Sequence, residues 1–120
     1  SFVNRIKLPF EPNVLAQAAG LAALGDQEFI ARSLDNNRRG MRYLADEFKR
    51  LGLNQVPSYA NFIMVDFGSE PAVTRLHQAL LRQGIAIRPL TAFGLPHCFR
   101  VTVGTPDENE AFVTALRKCL

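Results

Sequence analysis

No stretch of the sequence approaches the ~20 consecutive apolar residues that a membrane-spanning helix needs, so no membrane role through helices is expected. Lysine is scarce: Lys7, Lys49 and Lys118 are the only ones, so arginine supplies most of the positive charge. The net charge is a mild +3, which is not the footprint of a dedicated nucleic-acid binder, and no aromatic platform is interleaved with the arginines. Cysteine is scarcer still. Cys98 and Cys119 make no metal or redox spacing, so no metal site is expected from them. No internal repeat, low-complexity tract or linker interrupts the chain. Ser1-Phe2-Val3-Asn4-Arg5 carries neither the apolar stretch nor the small-residue cleavage site of a secretory leader. Together with two unpaired thiols, this fits a reducing, cytoplasmic compartment.

The 120 residues, 48% apolar and 21% charged, suffice for one domain with one core. Leu8-Pro9-Phe10-Glu11-Pro12-Asn13 reads as extended, because a proline disfavours helix at the residue before it. An alanine-rich helix is predicted from about Asn13 to Leu24, with a surface small enough for close packing against a neighbour. Gly25-Asp26 breaks it, and Asp26 is placed to cap a second helix from about Gln27 to Leu51. That helix carries Leu34, Met41, Leu44, Phe48 and Leu51 as one apolar stripe, with Arg32, Arg38, Arg39 and Arg42 mainly off it. Gly52 provides its stop.

Asn61 to Phe67 reads as a buried strand, Pro71 to Gln83 as a helix with Val73, Leu76 and Leu80 inward, and Ile85 to Pro89 as a short edge strand. Thr91 to His97 reads as a loop. Phe99-Arg100-Val101-Thr102-Val103 alternates, with its apolar residues on one face and Arg100 and Thr102 on the other. Thr105-Pro106-Asp107-Glu108 is a helix start with a capping box, and Phe112, Val113, Leu116 and Leu120 are its expected core residues. The fold class is therefore α/β, of the α+β small-domain kind. Two N-terminal helices precede a small sheet of about three strands, with helices packed on one face.

Few residues are candidates for chemistry. Arg88 and Arg100 stand apart from the helical arginines at strand–loop junctions, where side chains project into clefts. A guanidinium held there suits a carboxylate or phosphate, though an ordinary ion pair is the plainer alternative. Asn61 either donates to a ligand or caps a turn. His97-Cys98 suggests thiol catalysis, but adjacent residues rarely face each other productively. His77 borders an apolar stripe with no second metal-binding group spaced to it.

Ser58-Tyr59-Ala60-Asn61-Phe62 resembles the S-x-x-N-F strand of the fold-type-I pyridoxal-phosphate aminotransferases. Gly84 to Leu90, Phe93-Gly94-Leu95-Pro96, Phe99 to Thr105 and Glu108-Asn109 resemble the histidinol-phosphate aminotransferase branch in order and spacing. Arg5 to Asn13 and Leu15 to Ala19 are similar to the segment following its cofactor-lysine region, so the resemblance covers essentially the whole chain. It implies a transaminase moving an amino group between glutamate and imidazole-acetol phosphate. Arg100 would grip the substrate α-carboxylate, Arg88 the phosphate or distal carboxylate, and Asn61 would lie near the site. Asn13 would lie near the dimer or domain boundary.

The family's Schiff-base lysine, its pyridine-pairing aspartate and its cofactor-phosphate cradle have no counterpart here. The resemblance therefore implies a C-terminal small domain, residues 1–120, lacking its large domain and the second subunit of a homodimer. Pyridoxal 5'-phosphate is implied for the intact parent and not for this chain alone. A threonine-phosphate decarboxylase, an aromatic or aspartate aminotransferase, and a non-catalytic amino-acid-binding regulatory domain remain alternatives.

Overall fold

The computed structural model describes residues 11–120. Leu8, Pro9 and Phe10 of the extended opening segment, and Lys7, lie outside the described residues. The chain divides into two compact units, residues 1–33 and 34–120.

In the first unit, helix α1 spans Val14–Gly25 and helix α2 starts at Gln27. Asn13 caps α1 by accepting the Ala16 N–H at 2.8 Å, and Asp26 caps α2 through the Phe29 N–H at 2.9 Å. Every residue of α1 is exposed, including Val14, Leu15, Leu21 and Leu24.

The second unit contains the rest of α2, which ends at Arg50, then strands β1 (Asn54–Val56) and β2 (Phe62–Asp66), helix α3 (Glu70–Leu81), strands β3 (Arg88–Leu90) and β4 (Leu95–Thr102), and helix α4 (Pro106–Cys119). The sheet has the order β1-β2-β4-β3 and is antiparallel throughout. It has four strands where about three were expected. The additional one, β1, is a three-residue edge strand with no fully buried residue.

Alternation sorts the sheet into two faces. Ile63 and Val65 of β2 oppose Val101 and Phe99 of β4, and all four are buried. Leu44 and Phe48 of α2, Val73, Leu76 and Leu80 of α3, and Phe112, Val113 and Leu116 of α4 join them in one core, so the helices pack on one face as expected. Phe48 meets Phe112 edge-on at 6.1 Å between ring centroids, and Phe67 meets Phe99 similarly at 5.8 Å, an arrangement aromatic quadrupoles favour.

Three local readings change. The third strand forms at Arg88–Leu90 rather than Ile85–Pro89; it is an edge strand, where Pro89 is tolerated, and a bulge follows Pro89. The Thr91–His97 loop is mostly ordered: Thr91–Phe93 is a 3-10 turn, Gly94 reverses the chain at φ +75°, and β4 begins at Leu95. Leu34 and Leu120, read as core, are 52% and 57% exposed.

The junction from β4 into α4 is tightly built. Thr105 and Glu108 form the expected capping box. Gly104 is held through its N–H to Asn109 Oδ1 at 2.9 Å, and its C=O accepts from Asn109 and Asn36 at 3.1 and 3.0 Å. Buried Glu47 of α2 pairs with Arg50 and with Arg117 of α4. A buried carboxylate is tolerated when it is paired in this way.

Candidate functional site

The second face of the sheet carries the polar residues. Arg88 and Arg100 are direct cross-strand partners in the β3–β4 ladder, and Met64 is the partner of Arg100 in the β2–β4 ladder. Cross-strand partners point to the same face, so the register brings together two guanidiniums that lie twelve positions apart in sequence. Arg100 is half-buried and Arg88 exposed. Among the described residues neither forms a salt bridge or a side-chain hydrogen bond.

Aromatic rings back both groups. The Arg100 guanidinium carbon lies 4.9 Å from the Phe62 ring centroid, and that of Arg88 lies 5.9 Å from the Phe93 ring. Stacking of this kind holds a planar cation and leaves its edge of N–H donors free. Like charges directly opposite on paired strands lower stability by up to about 1 kcal/mol. Among the described residues no acid pairs with either group to offset that repulsion, and an anion seated across both would.

Asn61 is placed differently. It is exposed just before β2, and its C=O accepts the Val103 N–H at 2.8 Å. Asn37 of α2 steadies the same segment by donating to the Ala60 C=O at 3.2 Å. The Asn61 side chain forms no hydrogen bond to either arginine. The structure therefore brings Arg88 and Arg100 together and leaves Asn61 beyond the Phe62–Thr102 pair.

Two further groupings escaped the sequence reading. Asp66, His97 and Cys98 place their donor atoms within 4.8 Å of one another. Burial pushes the Cys98 thiol above its ordinary pKa, and the neighbouring Asp66 carboxylate pushes it the same way. Cross-strand register unites these residues, so the linear spacing carried no signal beyond the adjacent His97-Cys98. Separately, a cleft of about 410 Å³ lies between α2 and α4, lined by Asn36, Arg39, Gly40, Tyr43 and Asn109 among others. Partial burial raises the Tyr43 pKa above its ordinary value, and Glu47 and Glu110 push it the same way. Arg39 of that cleft is paired with Asp35 at 2.8 Å, unlike the two sheet arginines.

Residues 1–116 match the family described as aminotransferase class I and II. Histidinol-phosphate aminotransferase 1 of Cupriavidus pinatubonensis is 49% identical over 119 residues, covering 98% of this chain and 32% of that protein. The histidinol-phosphate aminotransferase of Symbiobacterium thermophilum is 51% identical over 112 residues, covering 93% of this chain and 30% of that protein. Among solved structures, histidinol-phosphate aminotransferase from Sinorhizobium meliloti in complex with pyridoxal-5'-phosphate aligns with a TM-score of 0.72 at 27% identity, over 98% of this chain and 33% of that one. The chain thus spans about a third of the length of the curated relatives it matches.

Proposed function

The chain belongs to the class I and II aminotransferases, and from that premise we propose that it is the C-terminal small domain of a histidinol-phosphate aminotransferase. The parent enzyme would move an amino group between glutamate and imidazole-acetol phosphate, with its large domain and the second subunit of a homodimer completing the site. The exposed apolar positions of α1, Leu15 and Leu21 among them, suit a surface that meets another part of such an assembly.

The observation that carries this reading is the pair of unpartnered, ring-backed guanidiniums on one open sheet face. Arg100 would receive the substrate α-carboxylate through two parallel hydrogen bonds, with Phe62 fixing the plane of the fork. Arg88, exposed at the sheet edge, would meet the distal phosphate or carboxylate, the part in which the two substrates differ. Asn61 would border the site from the start of β2.

The parent's cofactor in this reading is pyridoxal 5'-phosphate, which supplies an electron sink when bound. The residues described here do not fit its attachment. Lys49 and Lys118 are exposed on α2 and α4, the helices of the opposite face, and Lys7 lies outside the described residues. Attachment would fall to the parent's other residues, and this chain's part is to bind and orient the substrate.

The test is Arg100→Lys in the full-length enzyme, followed by single-turnover kinetics of each half-reaction. Lysine keeps the charge and loses the fork. A cost of about 2–4 kcal/mol is expected, roughly a 30- to 1000-fold loss of catalytic efficiency in both half-reactions, with cofactor absorbance unchanged. Arg88→Lys should fall unevenly on the two substrates. Rates near wild type for Arg100→Lys would make Arg100 a structural residue and overturn the assignment.

A further inference from the structure

Three side chains with different donor atoms converge where β2 ends against the middle of β4. Asp66 and Cys98 are direct cross-strand partners, and His97 precedes Cys98 on the same strand. Their carboxylate, imidazole and thiol donors all lie within 4.8 Å of one another. None of the three has a role in the anion site around Arg88 and Arg100.

The surrounding backbone holds the arrangement. The Phe67 N–H donates to the His97 C=O at 2.9 Å, which fixes the strand ends against each other. The Gly68 N–H donates to Asp66 Oδ1 at 2.9 Å, which orients the carboxylate and leaves its second oxygen available. Among the described residues, no hydrogen bond or ion pair engages the His97 ring or the Cys98 thiol. Cys98 is 2% exposed, whereas Met64, Asp66 and Arg100 on the same sheet face are only half-buried.

We propose that Asp66, His97 and Cys98 form a binding site for one divalent transition-metal ion of the Zn2+ class, with a fourth position open to water or a small anion. The donor set decides the class of ion. Sulfur and imidazole nitrogen disfavour Mg2+ and Ca2+, which prefer all-oxygen shells, and suit borderline ions such as Zn2+ and Co2+. Usual zinc–ligand lengths in a tetrahedron put the donors roughly 3.4–3.6 Å apart. Donors already within 4.8 Å of one another need to close by little more than about 1 Å to reach that spacing.

Binding is ligand exchange without redox change. The Cys98 S–H bond breaks and its proton goes to solvent, a sulfur–metal bond forms, and His97 and Asp66 replace two water molecules on the ion. One carboxylate and one thiolate balance the 2+ charge.

The experiment is titration of the 120-residue chain with Co2+, with the thiols kept reduced by a non-chelating phosphine. One equivalent should give a saturable thiolate-to-cobalt charge-transfer band with intense tetrahedral d–d bands, and Zn2+ should displace it. Cys98→Ser should abolish the charge-transfer band. Cys119→Ser, at the end of α4, should leave it intact. His97→Ala and Asp66→Asn should each weaken binding by at least the roughly 10- to 100-fold that loss of even an outer-shell partner causes. Asp66→Asn retains a carbonyl oxygen for the Gly68 N–H, so it tests the ligand without removing the turn, and circular dichroism confirms its fold. Absence of a saturable band, or a band that survives both Cys98→Ser and Asp66→Asn, overturns the proposal.

Discussion

Phe99 and Arg100 are neighbours in one strand, yet they face opposite environments. Phe99 is fully enclosed between the sheet and the helices, together with Ile63, Val65 and Val101. Arg100 points to the other side, where it meets the Phe62 ring and lies opposite Arg88. On the helix-covered face the buried side chains form one apolar cluster, the arrangement that gives burial its energy. On the open face two like charges sit side by side, a feature that costs stability. A strand of period two lets one segment serve both faces, because each residue that builds the core delivers its neighbour to the opposite face.

The sharpest way to break that comparison is to truncate one residue on each side. Phe99→Ala removes a fully buried ring and should cost about 3–5 kcal/mol. Arg100→Lys, one position along, should change stability by no more than about 1 kcal/mol, since what it stands to lose is stacking on Phe62. Urea denaturation of both variants of this chain gives the two numbers. Equal losses would mean that the two faces share the structural burden.

A smaller effect is expected where α2 closes on the covered side. A Cβ built on Gly40 would lie 2.3 Å from Val103 Cγ1 and 3.0 Å from Asn109 Nδ2. Replacing a mid-helix glycine with alanine gains about 1 kcal/mol of helix propensity. Overpacking costs about 1–3 kcal/mol, and a short branched side chain such as Val103 cannot bend its methyl aside as a long flexible one would, so the cost falls at the upper end. Gly40→Ala should therefore lose about 2 kcal/mol net, read from the denaturation midpoint. A more stable variant would show that α2 does not approach the sheet this closely.

Sequence reading succeeded where one periodicity decided the outcome. The alternation of Phe99 to Val103 assigned both faces of β4 correctly, and the i, i+3, i+4 spacing found Leu44, Phe48, Val73, Leu76 and Leu80. It failed where tertiary pairing decides. Asn54-Gln55-Val56 has no apolar alternation and becomes a strand because β2 offers a free edge. Leu34 and Leu120 fit helical stripes, but each stripe runs on past the surface it packs against. In the candidate site Arg88 and Arg100 were legible as strand arginines apart from the helical ones, but the expected strand–loop junctions were not. β3 starts at Arg88 rather than ending there, and Arg100 lies inside β4, paired on both sides, because β4 begins at Leu95. Their pairing with each other was not legible either, because it follows from the β3–β4 register. The Asp66–His97–Cys98 grouping was hidden for the same reason.

The smallest expected effect lies where β4 passes into α4. The Glu108 carboxylate accepts the Thr105 N–H at 2.7 Å and the Thr105 hydroxyl at 3.0 Å, and the Thr105 oxygen in turn accepts the Glu108 N–H. The Thr105 backbone N–H, then its hydroxyl, hold the Glu108 pKa below the ordinary glutamate value. A carboxylate depressed in the folded state contributes stability above its unfolded pKa of about 4.3 and loses it as pH falls through the folded value. Many other carboxylates also titrate in that range, so wild-type acid denaturation alone does not isolate the effect. Glu108→Gln does, because glutamine keeps a capping-box acceptor and cannot ionise. At neutral pH the wild type should have a slightly higher thermal midpoint than the variant, since a charged acceptor makes the stronger hydrogen bond. The two curves should converge as the pH drops below the ordinary glutamate range, once Glu108 is protonated in both states. A difference that stays constant through that range would mean the charge contributes nothing to the cap. The helix covering the core would then start at Thr105 through hydroxyl and backbone geometry alone.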